Sequence, residues 1–362
     1  NLGPQRERRR WVEPAGTRPE IRRDGLRGGL MYRDARTDDC RLIWQLIAQG
    51  QRDGGHAAHY TRVTQLLRAA DGRVGGARLQ DVDDGTVREI AARTVVNATG
   101  IWSATLGMPG DRTPPLRPLR GSHLVFPHAR LPLTEAVSWF HPRDRRGVFV
   151  TPWQGATLLG TTDLDHVDDL WEPAITRAEV DYLLEGLTAV LPGAGLGTAD
   201  ALSAFSGVRP VVAQGSGKPS SASRESALWQ EPGLVGVTGG KLTTFRVTAR
   251  QVLSAVQAQL PALRLAPDAA PLFDADAVAQ DDAGAAPTVQ QVSARAGECV
   301  RHLDDLLLRR TRAGLVLPEF GEAMIEPALA ACRAQYGWDE TRCRQEADDY
   351  RRRMQHQHRV PA

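Results

Sequence analysis

The stretch TVVNATG at Thr94–Gly100 begins as a short apolar strand, Thr94–Asn97, and ends in Ala-Thr-Gly. Turn-separated runs rich in Val, Leu and Thr precede it, with turns at Asp71-Gly72 and Asp84-Gly85, which predicts a β-meander that feeds a buried strand. Before the meander, residues 37–54 have the apolar spacing and end signals of a helix. A helix, a meander and a final strand in this order predict the later half of a dinucleotide-binding α/β domain.

A proline-rich turn at Pro114–Pro118 separates this region from a series of short predicted strands. The segments GSHLVFP, GVFVTPW and ATLLGTTD predict a mainly antiparallel sheet, and residues 177–192 have one apolar helical face. A second strand-rich passage, residues 202–237, leads to a long helix predicted from about 243 to 260. The Ala-, Asp- and Pro-rich residues 261–287 predict a linker, after which helical runs predict a separate C-terminal domain.

Composition and charge limit the classes of function. The chain has 362 residues and a formal net charge of +2, so two or three domains are expected and nucleic acid is not indicated as a partner. The four cysteines form no C-x-x-C pair, which favours a reducing compartment and indicates no metal site. No apolar run reaches the roughly 18–20 residues that span a bilayer, and the sequence therefore predicts a cytoplasmic protein.

The segment TGGKLTTFR (Thr238–Arg246) contains one of only two lysines among 45 basic residues, the other being Lys218. Two glycines let backbone approach a ligand closely, and Thr243 or Thr244 is predicted to cap the helix that follows. The N-terminus of a helix suits a phosphate or an electron-rich ring edge. Lys241 is therefore predicted as the compact cation of a pocket; the alternative is a glycine turn with Lys241 in solvent.

The phosphate-binding pattern G-x-G-x-x-G does not occur in the chain. GAGLGT at residues 193–198 is one residue short of the pattern and follows a predicted helix, which favours a helix-ending loop. In GSGKPS at residues 215–220, Pro219 follows the lysine and would deny the loop its helix start. Neither segment is therefore predicted to bind a dinucleotide.

Two further cations and one histidine complete the candidate site. Arg209 in SGVRP is predicted to lie between a strand end and Pro210, and Gly207 allows close backbone approach. Arg224 lies in SASRES. Two guanidinium forks with one ammonium would clamp a phosphate ester, although each arginine alone fits a surface residue. His123 in RGSHLVFP is predicted to head a strand, where an imidazole could accept a proton from a substrate hydroxyl or serve only structure.

Several segments together resemble the FAD-dependent, quinone-linked glycerol-3-phosphate dehydrogenases. ATG is shared with many flavoproteins, whereas SGVRP followed by GGKLTT is specific to this family. HLDDLLLRRTR and the YGWD…EADDY stretch resemble the helical cap of the family. The matching segments run in family order and are GGLMYRDARTDDCRL, RTVVNATGIW, LRGSHLVFP, LLGTTD, EVDYLL, FSGVRP, SRES and GGKLTTFR.

The resemblance implies an FAD-dependent oxidoreductase fold of class α/β + α. Its first β-α unit, which carries G-x-G-x-x-G in the family, lies before the point where the resemblance starts. The chain is therefore expected to be N-terminally incomplete, with a dinucleotide-binding domain that lacks this unit. The implied divisions are a partial FAD-binding domain (1–112), an antiparallel-sheet substrate domain (113–200), a return to the FAD-binding domain (201–260), a linker (261–287) and a C-terminal helical domain (288–362).

The resemblance also implies an activity, namely oxidation of sn-glycerol 3-phosphate to dihydroxyacetone phosphate with hydride transfer to FAD and electrons passed to quinone. His123, Arg209 and Lys241 would be catalytic, and Arg209, Arg224 and Lys241 would bind the substrate. Peripheral contact with the inner face of the cell membrane and a homodimer are further expectations. The implied FAD contacts are Val63, Gly100, Gly207, Gly239, Gly240, Leu242, Thr243 and Thr244.

Three alternatives stay open. The first is a glycerol-3-phosphate oxidase that uses oxygen, which differs only in the electron acceptor. The second is an amine or amino-acid oxidase of the same flavin superfamily, in which the arginines would bind a substrate carboxylate. The third is a non-catalytic fragment, because the unit that anchors FAD in the family lies outside the resemblance.

Overall fold

The computed structural model describes residues 9–14, 20–106, 114–213, 225–273 and 284–362. Its strands are β1 (Arg10–Val12), β2 (Gly29–Met31), β3 (Thr61–Arg68), β4 (Val74–Asp81), β5 (Val87–Ala91), β6 (Val95–Asn97), β7 (Leu116–Pro127), β8 (Val137–Phe140), β9 (Gly147–Trp153), β10 (Ala156–Gly160), β11 (Leu164–Asp165), β12 (Ser203–Val212), β13 (Ser226–Glu231) and β14 (Leu234–Gly239). Its α-helices are α1 (Asp39–Arg52), α2 (Arg177–Val190), α3 (Phe245–Gln259), α4 (Val289–Ala294), α5 (Ala313–Val316), α6 (Ile325–Tyr336) and α7 (Glu340–Arg353).

A six-stranded antiparallel sheet forms the centre of the molecule. Its order is β11-β7-β10-β9-β8, and β12 pairs with β7 as a further neighbour. The pairing of β12 with β7 is continuous, from Ser203 opposite Val125 to Val212 opposite Leu116. The domain division predicted at residue 201 is therefore wrong for β12, because ten residues of backbone pairing join this strand to the antiparallel sheet rather than to the FAD-binding part.

Helices cover both faces of this sheet because side chains alternate between the faces along each strand. On one face, Leu124 and Phe126 pack with Leu183 and Leu187 of α2 in one buried cluster. On the other face, Val125 and Ala156 join a second buried cluster formed mainly by the C-terminal helices. The sheet is therefore the middle layer of three, and the C-terminal helices are tied to it by apolar burial.

The predicted α/β part is confirmed in its main elements. β3, β4 and β5 form an antiparallel meander, and α1 begins at Asp39, where the Asp38 side chain accepts a hydrogen bond from the Arg41 amide. Residues 234–236 of β14 pair in parallel with residues 95–97 of β6. Val252 and Val256 of α3 pack against Val235 of β14, so a helix covers this parallel pair as α/β packing requires.

Helix α2 begins with a capping box. The Thr176 hydroxyl accepts from the Glu179 amide, while the Glu179 carboxylate accepts from the Thr176 amide. This reciprocal pair satisfies two backbone donors at the helix start. Unlike most capping glutamates, Glu179 is almost fully buried, with a side chain 1% exposed.

The C-terminal part is helical, as predicted, and includes two π-helical segments, Asp305–Arg310 and Met354–His358. Charged contacts join it to the meander. Arg301 forms a two-pronged ion pair with Asp81, at 3.0 and 2.8 Å. The described parts of the predicted linker, residues 261–273 and 284–287, contain no helix or strand. None of the described helices is both long and apolar enough to cross a membrane.

Candidate functional site

The pairing of β7 with β12 decides which predicted site residues share a face of the sheet. His123 lies opposite Phe205, and their rings stack with centroids 4.8 Å apart. Because side chains alternate along a strand, Arg209 lies on the same face as Phe205 and His123. The sheet therefore brings together two residues that are 86 positions apart in the sequence.

Both residues lie inside strands rather than at strand ends. His123 is in the middle of the 12-residue β7, and Arg209 lies within the ten-residue β12. The predicted strand end at Pro210 is wrong, because β12 continues to Val212. Within the described residues β12 pairs only with β7, and an edge strand tolerates a proline that cannot donate on its open side.

Arg209 is held by a buried carboxylate. Its Nη1 lies 3.2 Å from Asp163 Oδ1, and its Nη2 donates to Thr161 Oγ1 at 3.3 Å. Asp163 also pairs with Arg146, whose Nη2 lies 3.1 Å from Oδ2. Arg209 keeps 31% of its side chain exposed, whereas Asp163 keeps 1%. A guanidinium group held in a fixed orientation suits an anionic ligand.

Two strand glycines make room for these side chains. A Cβ atom on Gly121 would overlap the guanidinium of Arg209, and one on Gly160 would overlap the imidazole of His123. Neither glycine was among the residues singled out from the sequence. The available signal was a lone glycine inside a strand pattern, which marks close approach of another group.

His123 is partly buried and is uncharged at neutral pH. Desolvation, with a smaller contribution from the positive charge of Arg209, lowers the pKa of His123 to about 4. Its Nδ1 atom is buried and has no hydrogen-bond partner among the described residues. A neutral imidazole with a free nitrogen can accept a hydrogen bond or a proton, so the group is in the state that a base requires.

The GGK turn packs against the end of strand β12. Gly239 and Gly240 have φ of +73° and +89°, a region that favours glycine, and a Cβ on Gly239 would lie 3.5 Å from the Pro210 carbonyl oxygen. The Thr238 hydroxyl donates to the Gly100 carbonyl at 3.0 Å. Gly100, Pro210 and Gly239, from three separate predicted motifs, are therefore neighbours.

The predicted threonine cap of α3 is wrong. Residues 242–244 form a 3-10 turn, and the Thr244 hydroxyl donates to the Lys241 carbonyl at 3.1 Å instead of accepting from a helix amide. Lys241, Leu242 and Thr243 are exposed. Within the described part of the chain, no carboxylate forms an ion pair with Lys241, so its ammonium is available to a ligand. Its role stays a prediction.

A cleft of about 710 Å³ lies between the loop after β6 and strand β12. Gly100 and Gly207, two predicted cofactor contacts, line it, and none of the described side chains that line it is charged. The described lining residues are Ala98, Thr99, Gly100, Ile101, Trp102, Leu170, Trp171, Pro173, Ser206, Gly207, Val208 and Pro210.

Aromatic groups form one wall of this cleft. Trp102 and Trp171 stack with centroids 4.6 Å apart at 28°, and the Arg62 guanidinium lies 4.9 Å from the Trp171 ring centroid. The indole Nε1 of Trp102 is buried without a hydrogen-bond partner among the described residues. Stacked planes and an uncharged wall fit the uncharged isoalloxazine ring of FAD better than a phosphate.

Two predicted site residues are not placed in this arrangement. Arg224 lies outside the described residues. Val63 lies in β3 opposite Leu79 and does not line the cleft, although the neighbouring Arg62 contacts the cleft tryptophan. The predicted roles of both residues stay untested.

Comparisons with known proteins agree with the fold. A family model described as FAD dependent oxidoreductase matches residues 2–254. The chain is 31% identical over 245 residues to the aerobic glycerol-3-phosphate dehydrogenase of Staphylococcus haemolyticus, covering 67% of this chain and 44% of that protein. It is 36% identical over 252 residues to a glycerol-3-phosphate dehydrogenase of Mycobacterium leprae, covering 69% and 42%. The chain thus spans less than half the length of these relatives.

A solved structure extends the likeness to the C-terminal helices. The glycerol-3-phosphate dehydrogenase of Bacillus halodurans, complexed with FAD, superposes with a TM-score of 0.81 at 24% identity. The superposition covers 96% of this chain and 79% of that one. At this identity the likeness establishes the fold, and the predicted FAD-dependent oxidoreductase fold is confirmed.

Proposed function

The chain belongs to the FAD-dependent oxidoreductase family, and we propose that its site oxidises sn-glycerol 3-phosphate to dihydroxyacetone phosphate. The relatives named glycerol-3-phosphate dehydrogenases support this choice of substrate within the family. The observation that carries it is the placement of Arg209 beside a neutral, partly buried His123 on one face of the sheet. An anion-binding guanidinium next to a proton acceptor is what oxidation of a phosphorylated alcohol requires.

Each residue of the site has a separate proposed role. Arg209, fixed by Asp163 and Thr161, binds the phosphate or an oxygen of the substrate with its guanidinium group. His123 accepts the proton of the C2 hydroxyl, while the hydride on C2 leaves. Bound FAD supplies the acceptor for that hydride. Lys241 and Arg224 add positive charge for the substrate oxygens, and the GGK turn with Gly100 and Gly207 contacts the cofactor.

Quinone is the proposed final electron acceptor, with peripheral contact at the membrane. The names of the aerobic dehydrogenase relatives support a respiratory role rather than a particular acceptor. A glycerol-3-phosphate oxidase differs in passing electrons to oxygen. Anaerobic and aerobic reoxidation of the reduced protein, with and without a soluble quinone, separates the two acceptors.

The substrate proposal is tested by mixing the purified chain with FAD and removing free cofactor. Retained visible flavin absorption that is bleached anaerobically by glycerol 3-phosphate, but not by glycine or sarcosine, supports it. Bleaching by the amines alone would instead support an amine oxidase. A chain that retains no flavin, or retains flavin that no substrate bleaches, would contradict the proposed activity for this chain.

A matched pair of variants separates the site from general damage. Arg209→Gln removes the proposed anion contact, and Arg130→Gln removes the guanidinium of a remote pair with Asp200. Loss of a charge-assisted hydrogen bond predicts that substrate affinity falls about 10- to 100-fold in Arg209→Gln only. Equal effects in both variants would argue against an anion site at Arg209.

A further inference from the structure

The buried Glu179 carboxylate collects hydrogen bonds from several elements. Oε1 accepts from Ser122 Oγ at 2.8 Å and from Thr162 Oγ1 at 2.7 Å. Oε2 accepts from the Thr176 amide and lies 2.9 Å from Arg120 Nη2. Burial alone would raise the pKa of Glu179, but these hydrogen bonds and the charge of Arg120 outweigh it and lower the pKa. The group is a carboxylate at neutral pH and can only accept.

The ionised state of Glu179 fixes the direction of the hydrogen bond between Ser122 and Ser206. Ser122 commits its single hydroxyl proton to Glu179, so in its 2.7 Å contact with Ser206 Oγ the Ser122 oxygen can only accept. Ser206 must therefore donate to Ser122. Ser206 lines the uncharged cleft, and its committed proton leaves only lone pairs for a ligand there.

The proton of a second hydroxyl in the cleft is likewise engaged in a hydrogen bond within the protein. Thr99 Oγ1 donates to Asn97 Oδ1 at 2.6 Å. The Asn97 amide is oriented by its Nδ2, which donates to the Ser103 carbonyl at 3.0 Å, so Oδ1 is the acceptor. Thr99 therefore also offers lone pairs only. Among the described lining residues, Ser206 and Thr99 carry the two side-chain hydroxyls.

We infer that Glu179 and Asn97 are positioning residues: Glu179 binds the Ser122 proton so that Ser206 donates to Ser122, and Asn97 accepts the Thr99 proton. Both cleft hydroxyls are then left to accept hydrogen bonds from an N–H-bearing planar ring. The inference rests on the proposed function, because the imide N–H of an isoalloxazine ring is the donor in question. The cleft thereby selects a ligand by the direction of its hydrogen bonds as well as by shape.

The test uses two ring probes with the purified 362-residue chain. Lumiflavin has the isoalloxazine ring and its imide N–H but no phosphate, and 3-methyllumiflavin has a methyl group in place of that hydrogen. Dissociation constants are measured by calorimetry for the wild type and for Ser206→Ala, Ser122→Ala and Thr162→Val. Thermal unfolding of each variant shows whether it is folded.

The matched control is Thr162→Val. Ser122 and Thr162 each donate a hydroxyl proton to Glu179, but only Ser122 also contacts Ser206. One hydrogen bond predicts that the wild type binds lumiflavin about tenfold tighter than the methylated probe. Ser206→Ala reduces this preference to what Thr99 alone provides, Ser122→Ala reduces it because the Ser206 proton becomes free to rotate, and folded Thr162→Val retains it.

Four results would overturn the inference: equal affinity of wild type for both probes, no binding of either, an unchanged preference in Ser206→Ala, or equal losses in Ser122→Ala and Thr162→Val. An unchanged preference in Ser206→Ala would mean that the methyl group is excluded by shape. The probes contain no phosphate and are not turned over with glycerol 3-phosphate. A failure of the proposed oxidation therefore leaves this measurement intact, and the two failures are distinguishable.

Discussion

The guanidinium of Arg209 lies over the backbone of Gly121, in space that a Cβ atom would occupy. The two residues are on adjacent paired strands, with Gly121 opposite Gly207 and Arg209 opposite Leu119. The absence of a side chain at Gly121 lets the planar group lie against the sheet while it still reaches Asp163 and Thr161. The position of the proposed anion site thus depends on one glycine.

Gly121→Ala is expected to displace Arg209 without unfolding the sheet, because the obstructing atoms belong to the end of a flexible side chain. Loss of a charge-assisted contact predicts a rise of about 10- to 100-fold in KM for glycerol 3-phosphate, measured by steady-state kinetics. Gly147→Ala is the matched control, since no atom lies within 4 Å of a Cβ there. An unchanged KM in Gly121→Ala would remove the anion-binding role from Arg209.

Acid is expected to destabilise the chain through His123. Its pKa is lowered from 6.5 to about 4 in the folded state, so on acidification the unfolded state takes up the proton first. Stability is therefore present above about pH 6.5 and is lost as the pH falls towards about 4. Urea unfolding midpoints across this interval should fall less in His123→Gln than in wild type, with exposed His128→Gln as the control. Parallel curves for all three proteins would contradict this assignment.

His302 has the opposite pH dependence. Its Nδ1 lies 2.9 Å from Glu346 Oε1 and its Nε2 lies 3.2 Å from Asp83, so both ring nitrogens face carboxylates. The hydrogen bond to Glu346 is the largest cause that raises the pKa of His302 above 6.5. The other charged and titratable groups around these residues are Asp81, Arg301, Arg342, Asp305 and Tyr60.

A cationic His302 ties helix α7 to the meander, so its contribution is complete below about pH 6.5 and is lost as pH rises through the raised pKa. Limited proteolysis of the C-terminal helices is therefore expected to accelerate in wild type as the pH rises above about 6.5. His302→Gln should be cut at one rate over the same rise in pH, since glutamine does not titrate. A steep pH dependence retained in that variant would assign the effect to another group.

Lys241→Arg is expected to reduce turnover while flavin is retained. Arginine keeps the charge but is planar and longer, and a displacement of about 1 Å at a reacting centre can cost about 100-fold in rate. Lys218→Arg, at the only other lysine, is the control. Turnover and flavin content are measured together on each purified variant. Unchanged kinetics in Lys241→Arg would show that the ammonium is not required.

Local patterns in the sequence predicted the helices and strands but not how the strands pair with one another. The meander and α2 follow from spacings of a few residues, which periodicity reports directly. The extent of β12 was missed because Pro210 is a stop signal in isolation and becomes acceptable only on an open strand edge. Which edge is open depends on the pairing of the whole sheet.

Only part of the candidate site could be predicted, because some of its residues belong to short motifs and others depend on contacts between distant parts of the chain. Arg209, His123 and the GGK turn stand out by residue type within short motifs. Gly121 makes room for the guanidinium of Arg209 and Gly160 for the imidazole of His123. Glu179 acts through a hydrogen bond from a serine 57 positions earlier in the chain. As a helix residue with a capping role, Glu179 reads as a solvated surface group in the sequence. Contacts of this range arise from tertiary packing and carry no local signature.

Strand β12 has consequences for how this protein can change. Its odd-numbered residues Phe205 and Arg209 face the histidine, whereas Ser206 and Val208 face the uncharged cleft. A single inserted or deleted residue between Phe205 and Arg209 would exchange the two sets at once. A substitution in β12, by contrast, alters either the side that faces His123 or the side that faces the cleft, and leaves the other side unchanged. The preference for the substrate anion at Arg209 and the preference for a planar ring in the cleft can therefore change independently through substitutions, provided that the length of β12 is preserved.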